Sequence, residues 1–275
     1  MPPQPTLTLS DKREMPQLGF GTWKIPDGEA ADIVTRAVEA GYRLIDTASI
    51  YGNEEGVGRG LARQAATDEH VWLTTKIWNT DQGYASALGA LGESLDRLGT
   101  DSVDMTLIHW PCPDREMFVD TWKALIEMQR EGRTRSIGVS NFREDDLKRL
   151  ADATGKPPVV NQIELHPRFQ QRELRAVHQE MGIVTQSWSP LGQGELLENK
   201  AIATIAEDTG APRAAVILAW HLHHGLAPIP KASSRDHMEA NLAALDLSLT
   251  DEQVAAIDDL DSENGRMGEH PDDTN

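Results

Sequence analysis

A single cysteine, Cys112, stands in 275 residues. An internal disulfide is therefore impossible, and the usage fits a reducing compartment, with Cys112 read as a packing residue. Basic residues are also in the minority: 26 Lys and Arg face 44 Asp and Glu, a formal charge of −18. That balance repels nucleic-acid phosphates and anionic membranes at long range, although a local basic pocket can still hold a small anion. No nucleic-acid partner is expected, and the acidity reads as a solvated surface. Long apolar runs are missing as well. Nothing approaches the roughly 18 residues that suggest a membrane span, so no membrane partner is expected either. The opening Met1-Pro2-Pro3-Gln4-Pro5 has neither the basic nor the apolar region of a secretory signal, which leaves the cytoplasm as the expected location.

What the chain does have is a repeated alternation. Short apolar or β-rich runs each end on a polar residue: Tyr42-Arg43-Leu44-Ile45 before Asp46, Val71 to Thr75 before Lys76, and Val103 to Ile108 before His109. The series goes on with Ser136 to Val139 before Ser140-Asn141, Val159 to Asn161 before Gln162, Ile183 to Ser187 before Trp188, and Leu226 to Pro230 before Lys231. With Leu18-Gly19-Phe20-Gly21 in front, eight buried parallel strands are predicted. Between them, Glu29 to Ala40, Tyr84 to Leu98, Arg115 to Arg130 and Glu144 to Ala153 carry apolar residues at helical spacing. Asp46, Lys76, His109 and Ser140 follow one another at 30, 33 and 31 residues, room for a strand, a loop and a returning helix.

Eight such units, with no linker between them, predict an α/β fold. It is a (β/α)8 TIM barrel formed as one domain over residues 1–275, with active groups gathered at the C-terminal strand ends. Leu7-Thr8-Leu9, Asp11-Lys12 and Glu14-Met15-Pro16 read as a β-hairpin closing the bottom of the barrel, and the acidic stretch after Asp261 as loop. A doubly wound dinucleotide domain is the rival, because Gly56-Val57-Gly58-Arg59-Gly60 superficially matches its glycine fingerprint. The third glycine comes one residue early, and no apolar strand runs directly into Gly56.

In a barrel, Asp46, Tyr51, Lys76 and His109 converge at one mouth. An ammonium beside a phenol favours phenolate, so Lys76 is expected to lower the pKa of Tyr51 and ease its proton transfer. Asp46 would fix Lys76, and a neutral His109 would donate to a substrate carbonyl. Taken singly, each residue also has an ordinary structural reading; taken as four strand-end groups on successive units, they read as a catalytic set.

Gly41-Tyr42-Arg43-Leu44-Ile45-Asp46-Thr47-Ala48, followed by Glu54 and Val57-Gly58, is similar to the first signature of the aldo-keto reductase family. Ser136 to Phe142 resembles the second, and Ile229-Pro230-Lys231 with Asn241 the third. Gly19 to Trp23, Ile108-His109-Trp110-Pro111 and Trp188-Ser189-Pro190-Leu191-Gly192 extend the likeness over nearly the whole chain. The end, with Gly265-Arg266 and Glu269-His270-Pro271-Asp272, looks most like bacterial 2,5-diketo-D-gluconic acid reductases.

The resemblance implies an oxidoreductase acting on CH-OH groups, a monomer that reduces a small-molecule carbonyl (a small aldehyde, an aldose or a diketo-sugar acid) with Tyr51 as general acid. It implies NADPH as cofactor, with NADH admitted. Ser140, Asn141 and Gln162 would hold the carboxamide, and Trp188 would stack on the nicotinamide. Ser189, Leu191, Gly192 and Gln193 would line the pyrophosphate, Thr22 and Trp23 would flank the cofactor, and Lys231, Ser233, Arg235, His237 and Asn241 would take the adenosine phosphate end. Here the chain departs from the pattern. Ala232 replaces a hydroxyl residue, His237 the arginine that grips the 2′-phosphate, and Ala240 a common acidic residue. Ser233, Ser234 or Arg235 would have to compensate, and discrimination for NADPH should weaken. Trp23, Tyr51, His109 and Trp110 would wall the substrate pocket.

Three signals are set aside. His221, His223 and His224 sit at a predicted helix end and His166 has no zinc-like spacing, so no metal is expected. Ser140 lacks the surroundings of a hydrolase nucleophile. The alternative from another class is a cofactor-binding regulatory subunit on the same barrel without significant turnover.

Overall fold

A computed structural model of the chain describes residues 4–64 and 69–274. Met1, Pro2 and Pro3, part of the opening read above for a signal, lie outside the described residues. The chain begins with an antiparallel hairpin, β1 (Thr6–Thr8) and β2 (Glu14–Pro16), paired through Leu7 and Met15. Its turn is tied down by Ser136 Oγ, which donates to Asp11 Oδ2 at 2.7 Å. Leu9 and Met15 are buried in one cluster with Leu44, Trp72, Met105 and Val160. The hairpin thus covers the apolar end of the sheet interior, as predicted.

Eight parallel strands follow: β3 (Phe20–Gly21), β4 (Leu44–Asp46), β5 (Trp72–Ile77), β6 (Val103–Ile108), β7 (Thr134–Ser140), β8 (Val160–Glu164), β9 (Val184–Trp188) and β10 (Ala227–Pro228). They pair in sequence order. Gly19 N donates to Pro228 O at 2.9 Å and Gly21 N to Pro230 O at 3.1 Å, joining the first and last segments of the (β/α)8 barrel. The last strand is shorter than the predicted Leu226 to Pro230, because Pro228 and Pro230 have no N–H to give to a ladder.

The helices are α1 (Asp27–Ala40), α2 (Glu54–Ala62), α3 (Tyr84–Leu98), α4 (Phe118–Arg130), α5 (Glu144–Thr154), α6 (Arg172–Met181), α7 (Lys200–Thr209), α8 (Arg213–His223), α9 (Arg235–Leu242) and α10 (Asp251–Asp258). α3 has its predicted limits. The helix predicted from Arg115 instead starts at Phe118, since Pro113–Arg115 forms a separate 3-10 turn and Glu116 is left-handed, with φ 53°. The Gly56, Gly58 and Gly60 run lies on α2 and serves packing. A Cβ on Gly58 would come 2.2 Å from Leu98 O, and one on Gly56 2.5 Å from Asp27 O. Glycines buried within a helix of a (β/α)8 barrel, rather than in a strand-to-helix turn, rule out the doubly wound dinucleotide reading.

Side chains on a strand alternate between faces, and on the inward face the sequence grades from apolar to polar toward the C-terminal end. Leu44 precedes Asp46, Trp72 precedes Thr74 and Lys76, Val160 precedes Gln162 and Glu164, and Val184 precedes Gln186 and Trp188. The apolar members fill the bottom beside the hairpin. Their neighbours of opposite parity, such as Ile45, Leu73, Ile137 and Val139, pack outward with the helices. A polar inner layer is therefore left at the top.

Candidate active site

Lys76 is the centre of that layer and has no solvent exposure. Its Nζ donates to Asp46 Oδ1 at 2.5 Å and Thr47 O at 2.9 Å, and lies 3.5 Å from Tyr51 Oη. Asp46 is buried too, and its second oxygen accepts from Gln162 Nε2 at 2.8 Å. Burial pulls Lys76 toward losing its proton, but Asp46 and Tyr51 more than offset it and hold the ammonium above its ordinary value. Tyr51 closes a 3-10 turn, Ser49–Tyr51, and is half-buried. The structure corrects one expectation here. Burial raises the Tyr51 phenol by more than the Lys76 charge lowers it, with Asp46 adding to the rise, so the net direction is upward. The phenol keeps its proton at neutral pH, and the ammonium beside it is placed to stabilise the phenolate that forms once that proton leaves.

His109 follows β6 and is neutral, because burial and then the Lys76 charge push its imidazole well below the ordinary value. Its ring stands edge-on to Tyr51 at 5.7 Å and to Trp78 at 5.0 Å. Its Nδ1 is buried without a partner. The four predicted residues are thus brought together. Trp78 was not among the predicted wall residues, although its spacing of two from Lys76 on a strand end was a readable signal. Trp110 is half-buried, its carbonyl accepting from Gln82 at 2.7 Å, and Trp23 is exposed with Lys24 over its ring. Beside the site opens a cleft of about 570 Å³ that reaches Ser49, Ile50 and Trp78 but not Tyr51 or His109. Its Asp27 and Glu54 are paired with Arg59 and Arg97, so it reads as a solvated flank.

Across the mouth, the predicted carboxamide residues form one network. Ser140 Oγ donates to Gln162 O, and Asn141, left-handed at φ 63°, donates to His109 O at 3.0 Å. Asn141 Oδ1 accepts from Trp188 Nε1 at 2.8 Å. Gln162 Nε2 serves both Asp46 and Gln186 Oε1, the latter at 2.7 Å. With both amide protons spent, Gln162 offers its Oε1 to a ligand. Gln186 escaped prediction, yet it shares the inward parity of Trp188 in β9.

Thr22 is buried, its hydroxyl donating to Asp46 O at 2.9 Å. The loop after Trp188 is irregular: Ser189, Gly192 and Gln193 all have positive φ, and Leu191 leads into a 3-10 segment, Gly192–Glu198. At the far end, Lys231, Ser233, Arg235 and His237 are exposed. Two of the three suggested substitutes for the missing arginine are already engaged. Ser234 caps α9 by accepting from His237 N, and Arg235 pairs with Glu239 at 2.7 Å. Asn241 is buried, with its side chain against the Tyr42 phenol. Among the discounted histidines, His221 lies against Pro190 O and His224 against Asp258.

Comparison with known proteins agrees with this geometry. The model of the Aldo/keto reductase family matches residues 17–262. The glyoxal reductase of Bacillus subtilis (strain 168) is 43% identical over 268 residues, covering 97% of this chain and 96% of the relative. The 9,11-endoperoxide prostaglandin H2 reductase of Trypanosoma cruzi (strain CL Brener) is 44% identical over 270 residues, covering 97% and 94%. Among solved structures, a Gox0644 mutant in complex with NADPH superposes with a TM-score of 0.94 at 46% identity, covering 98% of this chain and 97% of that one. A barrel whose strand ends assemble a buried lysine, aspartate, tyrosine and histidine, matched along nearly its whole length in this way, makes this chain an oxidoreductase belonging to the aldo/keto reductase family.

Proposed function

We propose that the chain is a monomeric, single-domain NADPH-dependent carbonyl reductase in which Tyr51 delivers the proton. The observation that carries the reading is the Asp46–Lys76–Tyr51 chain, with a buried ammonium 3.5 Å from a phenol oxygen. The cofactor supplies the hydride to the carbonyl carbon when bound. The donor set suits it: Gln162, with its amide nitrogen spent on Asp46 and Gln186, keeps Oε1 for a carboxamide N–H, and Trp188 offers a ring face. His109 orients the carbonyl oxygen, Tyr51 protonates it, and Lys76 stabilises the phenolate until solvent returns the proton.

The substrates proposed are small aldehydes and dicarbonyls, with diketo-sugar acids as the narrower reading that follows the C-terminal resemblance. A relative named for glyoxal reduction favours the first. Because Arg235 is held by Glu239 and no arginine stands at 237, NADH is proposed as a usable second cofactor.

The deciding experiment measures NADPH and NADH oxidation with glyoxal, methylglyoxal, an aldose and a 2,5-diketo acid, beside Tyr51→Phe. Turnover that needs Tyr51 supports the enzyme. Cofactor binding without turnover on any carbonyl would establish the regulatory subunit in its place.

A further inference from the structure

Beyond the tetrad, several buried carboxylates have no catalytic task, and one of them lies against Trp188. Glu164 ends β8 and is 1% exposed. Its Oε1 accepts from Met267 N at 2.7 Å and its Oε2 from Gly268 N at 2.9 Å, while His166 Nε2 stands 3.2 Å from Oε1. Burial raises its affinity for a proton, but the donors from His166, Met267 and Gly268 outweigh that and keep it ionised. The two backbone donors come from the C-terminal segment after α10, which has no helix or strand of its own to fix it.

That segment is fitted rather than loosely laid. Ser262 N donates to Arg168 O at 3.1 Å, the Arg266 guanidinium lies 4.6 Å from the Phe169 ring centre, and Asp272 pairs with Arg143. Gly268 is wedged against the indole of Trp188: a Cβ there would come 2.4 Å from Trp188 Cη2 and 3.0 Å from Glu164 Oε2. Trp188 is therefore held at two opposite points, by Asn141 at Nε1 and by the Gly268 backbone at the far edge of the six-membered ring.

We infer that Glu164 is a positioning residue for the cofactor platform: by holding the amides of Met267 and Gly268 it seats the C-terminal segment against Trp188 and so sets the plane on which the nicotinamide rests. The inference rests on the proposed role of Trp188 in cofactor binding. Removing the carboxylate leaves two amides without acceptors and frees the segment, so the indole loses one of its two supports.

The test uses the full-length protein and four variants, Glu164→Ala, Glu164→Gln, Met267→Pro and Trp188→Ala. NADP+ affinity is measured by calorimetry, exchange of backbone amides over residues 262–274 by mass spectrometry, and indole packing by near-ultraviolet circular dichroism. Glu164→Ala is expected to speed exchange in the segment, change the aromatic spectrum and weaken NADP+ binding by about tenfold. The Michaelis constant for cofactor should rise while kcat at saturation and its pH profile stay put, a split that general loss of structure would not give. Glu164→Gln, which keeps one acceptor oxygen, should recover part of the affinity. Met267→Pro deletes one amide on the segment itself, and should reproduce the effect even if the barrel does not tolerate a change at Glu164.

Unchanged exchange in Glu164→Ala, or a released segment with unaltered NADP+ affinity, overturns the inference. If Trp188→Ala weakens binding and neither Glu164→Ala nor Met267→Pro does, only this inference fails. If Trp188→Ala leaves binding unaltered, the assignment of the platform fails first and takes the inference with it.

Discussion

Gln162 Nε2 donates to Asp46 Oδ2 at 2.8 Å, so the carboxylate that fixes Lys76 is itself fixed from the opposite side of the barrel. The two residues are 116 positions apart in sequence. The same amide nitrogen reaches Gln186, which links three strands through one side chain. Orientation of the proposed proton-transfer group and of the proposed cofactor-binding amide are consequently one problem, solved by one network.

Removing the Tyr51 hydroxyl tests the proton donor. Tyr51→Phe should lower kcat for carbonyl reduction by roughly 10²–10⁴-fold, the usual contribution of a general acid. NADP+ affinity should change little. Because burial raises the phenol above its ordinary value, the wild-type rate should hold from pH 7 to 9. A pH profile in which the rate falls away by pH 8 through loss of a single essential proton would refute the assignment.

Breaking the buried ion pair should cost stability as well as activity. Lys76→Met strands the Asp46 charge, and a fall of about 3–5 kcal/mol in unfolding free energy is expected. The double variant Asp46→Leu with Lys76→Met should regain most of that stability and none of the activity. Denaturation in urea beside a turnover assay separates the two effects.

Acid should weaken the fold through buried histidines. Burial pulls His178 down to about 4 and His221 down to about 3. In the unfolded chain both titrate near 6.5, so below that pH the unfolded state binds protons that the folded state refuses. Their contribution is complete above about pH 6.5 and declines as pH falls toward the folded values, by on the order of 1.4 kcal/mol per unit for each histidine. Urea midpoints at pH 7.5, 6.0 and 5.0 should fall in that order. His178→Gln, placed between Asn161 and Thr185, should show a shallower decline.

Gly58 has no room for a methyl group. Gly58→Ala forces an atom toward the Leu98 carbonyl, and overpacking of this kind costs about 1–3 kcal/mol. Gly89, which has nothing within 4 Å of its would-be Cβ, is the control: Gly89→Ala should be neutral or stabilising in the same melting experiment.

Glu239→Gln should release Arg235 for the cofactor. NADP+ affinity is expected to rise modestly and NAD+ affinity to stay level, as read by calorimetry. An equal change for both dinucleotides would show that Arg235 does not meet the 2′-phosphate.

Much of this was legible in the chain. The strands ending near Asp46, Lys76, His109, Gln162 and Trp188 announce themselves because the inward face changes from apolar to polar along each run, a pattern of period two. α3 was readable to the residue, since its apolar spacing begins and ends inside clear boundaries. The start of α4 was not, because the break at Glu116 depends on a local left-handed turn rather than on hydrophobic spacing. Trp78 and Gln186 carried a readable period-two signal from Lys76 and Trp188, but their partners, His109 and Gln162, lie on other strands and are set only by the closed barrel.

By itself, the sequence determined the alternation of eight strands with helices, the side of the barrel where chemistry collects, and which four residues meet there. It could do so because strand periodicity and residue type are local properties. Tertiary structure alone decided the direction of the Tyr51 shift, the engagement of Arg235 by Glu239, and the seating of Gly268 against Trp188 under the grip of Glu164. Each of these is a balance between burial and contacts drawn from distant parts of the chain. Solvent exclusion and Coulomb attraction act through space, and no spacing rule along the backbone carries their sum.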